Sequence, residues 1–115
     1  MTVKRITTNI AAPDPAALAA FYTSVFGLDM VMDLGWIITL AGADTAPIQL
    51  SIASQGGSDA PMPALSIEVT DLQATYDRCK SQGYPIAYPL TIEPWGVRRF
   101  FVRDPAGTLI DVMAH

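Results

Sequence analysis

The sequence predicts an α+β fold built from two tandem β-α-β-β-β repeats. The first observation is a pair of helix starts, because Asp14 and Asp71 each follow a strand-like segment and precede an apolar helical stripe, as N-capping residues do. The second is a pair of helix ends, because Gly27 and Gly83 stand where a left-handed residue closes a helix. The capping aspartates and the closing glycines are offset by nearly the same number of residues, which indicates that one structural plan is repeated.

The first repeat starts with an alternating strand and continues into a helix with Pro15 at its first position, where the missing N–H does no harm. The apolar stripe of this helix recurs at helical spacing and consists of Leu18, Phe21, Tyr22 and Val25. Three strand-like segments follow, at residues 30–33, 36–40 and 47–53.

The second repeat follows the same order. Its helical stripe consists of Leu72, Thr75, Tyr76 and Cys79. Residues 104–107, with the sequence DPAG, carry proline and glycine where a tight turn requires them. The predicted strands lie at residues 86–90, 97–103 and 108–114.

Length and composition fit a single domain over residues 1–115, of which half are apolar and 16% are charged. Repeat 1 covers about residues 1–53 and repeat 2 about residues 64–115. The stretch between them, residues 54–63, contains two adjacent glycines and two prolines, which favours a linker.

Composition also limits the partners. No apolar run is long enough to span a bilayer, and the first residues lack the apolar segment of a signal peptide, so we expect no membrane partner and a cytoplasmic location. The lone cysteine, Cys79, agrees with a reducing compartment. The net charge of −4 and the absence of a long basic run argue against a nucleic-acid partner.

Alternation along the strands assigns one apolar and one polar face to the predicted sheet. The apolar face is expected to pack on the helices. In the strand at residues 97–103 we place Phe100 and Val102 on the apolar face, which turns Arg99 and Phe101 to the polar face. Other strands add to the polar face the side chains of Asn9, Gln49, Ser66, Glu68 and Asp111.

Two interpretations of the polar face stay open. It is the solvated side of a largely antiparallel sheet, or it is the concave wall of a site for a small organic molecule. On the second interpretation, aromatic side chains stack on the ligand and polar side chains orient it. The predicted ligand-binding residues are Asn9, Trp36, Gln49, Glu68, Trp95, Arg99, Phe101 and Asp111.

The chain resembles the vicinal-oxygen-chelate superfamily, which includes glyoxalases, extradiol dioxygenases and bleomycin-resistance proteins. The segments that carry the resemblance, in family order and spacing, are DPAALAAFY (14–22), VFGL (25–28), VTDL (69–72) and EPWGVRRFFVRDPAGTLIDV (93–112), and LGWIITL (34–40) is similar to an uncharacterised bacterial subgroup. The resemblance implies a curved, cup-shaped mixed sheet with the helices on its convex side. It also implies that two chains pair as a homodimer.

The resemblance further implies where metal-using members place their ligands, which are His, Glu or Gln on the first and last strands of each repeat. Counted from the helix caps, the first-strand positions are Thr7 and Ala64, and the last-strand positions are approximately Gln49 and Asp111. Only Gln49 and Asp111 can bind a metal, and the single histidine, His115, is the final residue. We therefore predict no metal and no cofactor.

The predicted function is the binding of a small organic molecule in a cup-shaped pocket without the usual metal site, for which antibiotic sequestration is the family precedent. The alternative is a metal-dependent lyase, isomerase or dioxygenase with an atypical ligand set around Gln49 and Asp111. A third possibility is an interaction module that binds no ligand.

Whether the chain is an enzyme stays open, and an enzyme of this kind would be a glyoxalase-like lyase or a dioxygenase. Glu68 and Asp111 could act as an acid/base pair if both line the cup. Cys79 lies on the apolar stripe of its helix and is expected to be an unreactive thiol.

Overall fold

The computed structural model describes residues 2–43 and 49–115, which fall into two compact units. The first unit is Thr7–Met62, and the second combines the residues up to Ile6 with Pro63–His115. Neither helix in the described part of the chain is long and apolar enough to cross a membrane.

The first unit has the element order β-α-β-β-β. It contains the part of β1 from Thr7 onward, one helix and three further strands: β1 (Val3–Ala11), α1 (Pro15–Phe26), β2 (Asp29–Asp33), β3 (Ile37–Ala41) and β4 (Gln49–Ala53). The strand order is β2-β3-β4-β1, with β1 and β4 parallel and the other neighbours antiparallel. The predicted start of the last strand, at Pro47 and Ile48, lies outside the described residues.

The second unit repeats this plan with β5 (Leu65–Val69), α2 (Leu72–Ser81), β6 (Ile86–Ile92), β7 (Arg98–Arg103) and β8 (Leu109–Ala114). Its strand order is β5-β8-β7-β6, with β5 and β8 parallel and the other neighbours antiparallel. The two units therefore share element order, strand order and strand direction. The α+β fold of two β-α-β-β-β repeats is confirmed.

Both helices begin at the predicted caps. The Asp14 carboxylate accepts a hydrogen bond from the Ala17 N–H at 3.3 Å, and the Asp71 carboxylate accepts one from the Ala74 N–H at 3.0 Å. Each cap satisfies a backbone donor that the helix itself cannot pair, which stabilises a helix by about 1 kcal/mol. Gly27 ends α1 with a φ of 69°, a left-handed conformation that a residue with a Cβ adopts with strain.

Each unit has its own apolar core between the helix and one face of the sheet. In the first unit the buried side chains are Ala19, Ile38, Leu40 and Ile52. In the second unit they are Val69, Leu72, Phe100, Val112 and Ala114, with Tyr76, Cys79 and Val102 packed against them. The apolar sides of the strands thus bury against the helices, as the alternation predicts.

The predicted linker at residues 54–63 contains a tight turn. The Gly56 N–H donates to the Ala60 carbonyl at 2.9 Å, and the Ala60 N–H donates to the Gly57 carbonyl at 2.9 Å. Gly56, Gly57 and Ala60 are buried. A Cβ on Gly56 would collide with the backbone of Pro61, so only glycine fits there.

Candidate functional site

The polar face of the second unit carries side chains from three adjacent strands. Asp111 on β8 lies opposite Ser66 on β5 and opposite Phe101 on β7. Two residues further along the same face, Met113 lies opposite Glu68 and Arg99. Directly opposed residues in a sheet project to the same side, so Arg99 and Phe101 share the polar face with Asp111, as predicted.

Asp111 is the most unusual group on this face. Its side chain is buried, with 6% of the residue exposed. The Ser66 hydroxyl donates a hydrogen bond of 2.8 Å to Oδ2, whereas Oδ1 is buried and has no hydrogen-bond partner among the described residues. Loss of solvation is the main reason why the pKa of Asp111 rises to about 6; Ser66 and Arg99 oppose the rise and Glu93 adds to it.

Arg99 is buried in a cluster that neutralises its charge, although its Nε donates no hydrogen bond to a described residue. One guanidinium nitrogen lies 2.6 Å from a Glu93 carboxylate oxygen, and both residues are 4% exposed. The same carboxylate accepts from the Tyr88 hydroxyl at 3.2 Å. The guanidinium carbon lies 4.7 Å from the ring centroid of Phe101 and 5.1 Å from those of Tyr88 and Trp95. A buried cation needs such partners.

These contacts change what Arg99 and Phe101 can offer to a ligand. Phe101 has no exposed surface, and its ring lies 5.0 Å from that of Tyr88. Trp95 is partly exposed. The guanidinium is neutralised by Glu93 inside its own unit, so it is a poor anchor for an anionic ligand.

Glu68 is also matched by a cation. Its carboxylate lies 3.0 Å from an Arg5 guanidinium nitrogen and 3.8 Å from the Lys4 ammonium. The partly exposed Arg5 also lies 3.4 Å from the ring of His115, which is exposed. Glu68 is thus held by its ion pair with Arg5.

On the polar face of the first unit, neighbouring side chains hydrogen-bond to one another. The Thr7 hydroxyl donates to the Gln49 side-chain oxygen at 3.2 Å, and the Thr39 and Ser51 hydroxyls lie 2.8 Å apart. Asn9 lies opposite Ser51 in the strand register. Trp36, next to β3, accepts through its carbonyl from the Ser54 N–H. The predicted residues Asn9 and Gln49 therefore share one face of the first unit.

Each unit joins a hydroxyl on its first strand to an acceptor on its last strand. Thr7 on β1 pairs its hydroxyl with Gln49 on the parallel strand β4, and the same relation in the second unit joins Ser66 to Asp111. The hydroxyl partner of Asp111 is therefore Ser66, whereas Ala64, the position counted back from the cap, lies just before β5.

These side chains do not fit the divalent transition metal that the superfamily implies. The two pairs supply two hydroxyls, one amide and one carboxylate, whereas such metals favour imidazole, thiolate and several carboxylates. No three His, Cys, Asp or Glu side chains within residues 2–43 and 49–115 lie close enough to hold a metal ion.

Sequence reasoning missed two members of the buried cluster, Glu93 and Tyr88. Glu93 lies in the loop between β6 and β7, where strand alternation gives no information. Tyr88 lies on a strand whose register with β7 shifts on both sides of it. A usable signal was the sequence EPWGVRR itself, because an acidic residue six positions before an arginine can face it across a hairpin.

A separate cavity of about 300 Å³ lies on the helix-bearing side of the second unit. It is bounded by the first turn of α2, the end of β6 and the start of β7, and its lining is Leu72, Gln73, Leu90, Thr91, Ile92 and Arg98. None of the predicted ligand-binding residues lines it.

Fold and site together define an α+β protein of two β-α-β-β-β units, each with one helix-covered face and one polar face. The family model for the glyoxalase/bleomycin resistance protein/dioxygenase superfamily matches residues 4–112, and the chain belongs to this superfamily. A comparison with curated proteins finds no match.

Solved structures share the fold at low identity. The NAD-dependent benzaldehyde dehydrogenase from Legionella pneumophila is 15% identical with a TM-score of 0.78, and the match covers 96% of this chain and 98% of that one. A methylmalonyl-CoA epimerase variant from Streptomyces coelicolor is 17% identical with a TM-score of 0.73, covering 98% of each chain. A superfamily member from Vibrio splendidus 12B01 is 17% identical with a TM-score of 0.64, covering 99% of this chain and 100% of that one.

Proposed function

We propose that this chain binds a small organic molecule on the polar face of its second unit, without the metal that many members of its superfamily use. One observation carries the proposal: Asp111 Oδ1 is buried, and no described residue bonds to it. A buried polar atom without a partner costs about 1–3 kcal/mol, so native proteins rarely leave one unless a water or a ligand reaches it.

The surrounding side chains suit a small ligand. Ser66 holds the other carboxylate oxygen and so fixes the orientation of the acid. Phe101 is buried opposite Asp111, and the partly exposed Trp95, which lies over Arg99, offers aromatic surface on the same unit. A few convergent polar groups beside aromatic side chains are typical of small-molecule sites.

The comparisons support binding of an organic ligand by this fold. The Streptomyces coelicolor epimerase structure is a complex with 2-nitronate-propionyl-CoA. The superfamily name also includes bleomycin resistance, so sequestration of an antibiotic is one form that the proposed binding can take. Asn9, Trp36 and Gln49, which lie in the first unit, and Glu68, in the second, stay predictions as ligand contacts.

The alternative of a metal-dependent lyase, isomerase or dioxygenase needs a ligand set around Gln49 and Asp111. Gln49 already accepts from Thr7, and Asp111 is the single carboxylate in the two pairs. The donor chemistry therefore favours binding without a metal.

The test is a ligand screen on purified protein that has been treated with EDTA and then dialysed. Thermal-shift measurement against a library of aromatic, polar and glycopeptide compounds should give hits, and titration calorimetry of a hit should give the same affinity with and without added Zn²⁺, Ni²⁺ or Mn²⁺. A protein that binds no compound until a metal is restored, or that binds none at all, contradicts the proposal.

We also propose that two chains form a homodimer through the exposed apolar side chains of α1 and β2. All five residues of the edge strand β2 are exposed, and Met30 and Val31 are 51% and 56% exposed. On α1, Phe21 and Phe26 are 50% and 63% exposed. Exposed apolar side chains on an edge strand mark an interaction surface, and a second copy would cover them.

We propose a cytoplasmic location because the single cysteine, Cys79, is a free thiol, as expected in a reducing compartment. Cys79 packs against the apolar core of the second unit. Burial raises the pKa of its thiol, which makes it a poor nucleophile.

A further inference from the structure

The buried charges of the second unit do not balance. Its buried charged residues among those that the structure describes are Glu68, Glu93, Arg99 and Asp111. Glu93 is matched by Arg99 at 2.6 Å, and Glu68 is matched by Arg5 at 3.0 Å. Asp111 forms no ion pair within the described part of the chain. Two carboxylates therefore each have an arginine in contact, whereas the third has the hydroxyl of Ser66 and only the more distant attraction of Arg99, which is already paired with Glu93.

From this imbalance we infer that the molecule bound at Asp111 is an organic amine, whose ammonium group donates to Oδ1 and supplies the missing positive charge. The inference rests on the proposed function and names the chemical class of its ligand. An ionised carboxylate is costly to bury unless it is paired and hydrogen-bonded. An ammonium provides both, and charge-assisted hydrogen bonds to carboxylates are the stronger kind.

The same charges disfavour an anionic ligand. An anion at Oδ1 would meet the Asp111 carboxylate directly, with Glu93 nearby. Arg99, the one buried cation on this face among the residues that the structure describes, already contacts Glu93 and lies over three aromatic rings. Like charges in a desolvated site repel strongly. Selectivity should therefore follow the order amine, neutral molecule, anion.

Binding of an amine should depend on the ionisation of Asp111. The charged groups that share its face are Arg99 on β7, Glu93 in the β6–β7 loop and Glu68 on β5. The pKa of Asp111 is about 6, so at about pH 5 only about a tenth of the Asp111 side chains are ionised. An alkylammonium stays charged throughout this range, so affinity should fall about tenfold from pH 7.5 to pH 5.

The test uses three probes of similar size: 2-phenylethylamine, 2-phenylethanol and phenylacetate. Titration calorimetry at pH 7.5 should show the amine binding about tenfold or more tightly than either of the other two, which is the range expected for a hydrogen bond to a charged group. The Asp111→Asn variant should lose this preference. The Asp77→Asn variant, which removes an exposed carboxylate on α2, should keep it.

Several results would overturn the inference. Equal affinity for the three probes, preference for phenylacetate, or an amine affinity that is the same at pH 5 and pH 7.5 each contradict it. The pH series uses the unaltered chain, so it remains decisive if Asp111→Asn fails to fold. If the library screen finds a neutral or anionic ligand and the amine does not bind, the inference fails while the proposed function stands. If nothing in the library binds, both fail.

Discussion

Ser66 and Asp111 lie opposite each other on parallel strands, and the Ser66 hydroxyl holds one oxygen of the Asp111 carboxylate at 2.8 Å. The other oxygen is buried, and no residue in the described part of the chain bonds to it. In the first unit, Thr7 and Gln49 have the same relation, but there the acceptor is an uncharged amide. The repeat thus places a hydroxyl–acceptor pair in each unit, and only the second pair can titrate.

Asp111 should make the protein less stable at neutral pH than at mildly acidic pH. Its folded pKa of about 6 is above the ordinary value of 3.8, so between these values the folded chain holds a proton that the unfolded chain has released. The free energy of unfolding therefore falls as pH rises from about 4 to 6, by up to about 3 kcal/mol. Urea unfolding across this range measures the slope.

The Asp111→Asn variant should not show this decrease in the free energy of unfolding between pH 4 and 6, because its amide does not ionise. The variant should be more stable than the unaltered chain above pH 6, and the difference in the free energy of unfolding should shrink toward pH 4. Asp77→Asn serves as the control, and its free energy of unfolding should decrease with pH as that of the unaltered chain does. Parallel stability curves for Asp111→Asn and the unaltered chain would show that Asp111 is solvated or paired in a way that the structure does not contain.

Strand alternation was enough to predict the two faces of the second unit. The period of two separates Phe100 from Phe101 and Arg99, and the packing of Phe100 on α2 confirms it. The helix caps Asp14 and Asp71 could also be predicted from the sequence, because capping is a local interaction between residues three apart.

The rest of the site depends on contacts between residues distant in sequence. Counting from a cap points to Ala64, and it could not show that Ser66 supplies the hydroxyl that bonds to Asp111. Strand alternation could not give the partners of Arg99, because Glu93 lies in a loop and Tyr88 on an irregular strand. Burial of Asp111 is a property of the packed fold, which alternation alone does not give.

Replacing only one of the two residues Arg99 and Glu93 should destabilise the protein. Arg99→Met leaves a buried carboxylate without its cation, and we expect a loss of about 3 kcal/mol or more in the free energy of unfolding. The double variant with Glu93→Gln should recover a large part of this loss, because it leaves no unpaired charge. Chemical denaturation of the two single variants and the double variant measures the coupling.

Arg98→Met provides the matched control for this cycle. Arg98 is the neighbour of Arg99 on β7 and is exposed, so its loss should change stability by less than about 0.5 kcal/mol. Equal effects of Arg98→Met and Arg99→Met would contradict a buried ion pair.

Removal of the Ser66 hydroxyl should raise the pKa of Asp111 further above 6. The hydrogen bond from Ser66 stabilises the ionised carboxylate, so Ser66→Ala takes away a contribution that lowers the pKa. Carbon NMR of the Asp111 carboxyl through a pH titration reports the shift. Thr7→Ala, which removes the equivalent hydroxyl in the first unit, should leave this titration unchanged, and a Ser66→Ala titration that matches the unaltered protein would refute the role of Ser66.

Dimerisation should depend on the edge strand β2. Val31→Lys places a charge at a position that is 56% exposed in one chain and should yield a monomer. Light scattering after size-exclusion chromatography should give twice the chain mass for the unaltered protein. The control is Ile92→Lys, at a residue that is 81% exposed on β6, which should stay dimeric. A monomeric unaltered protein, or a dimeric Val31→Lys, rules out this surface.

The most direct measurement is a crystal structure of the EDTA-treated protein with its best-binding small molecule. We predict that a donor atom of the ligand lies within hydrogen-bond distance of Asp111 Oδ1, with no metal ion between them. A ligand seated in the cavity beside Leu72 and Leu90, or a metal ion bound to Asp111, would contradict the account.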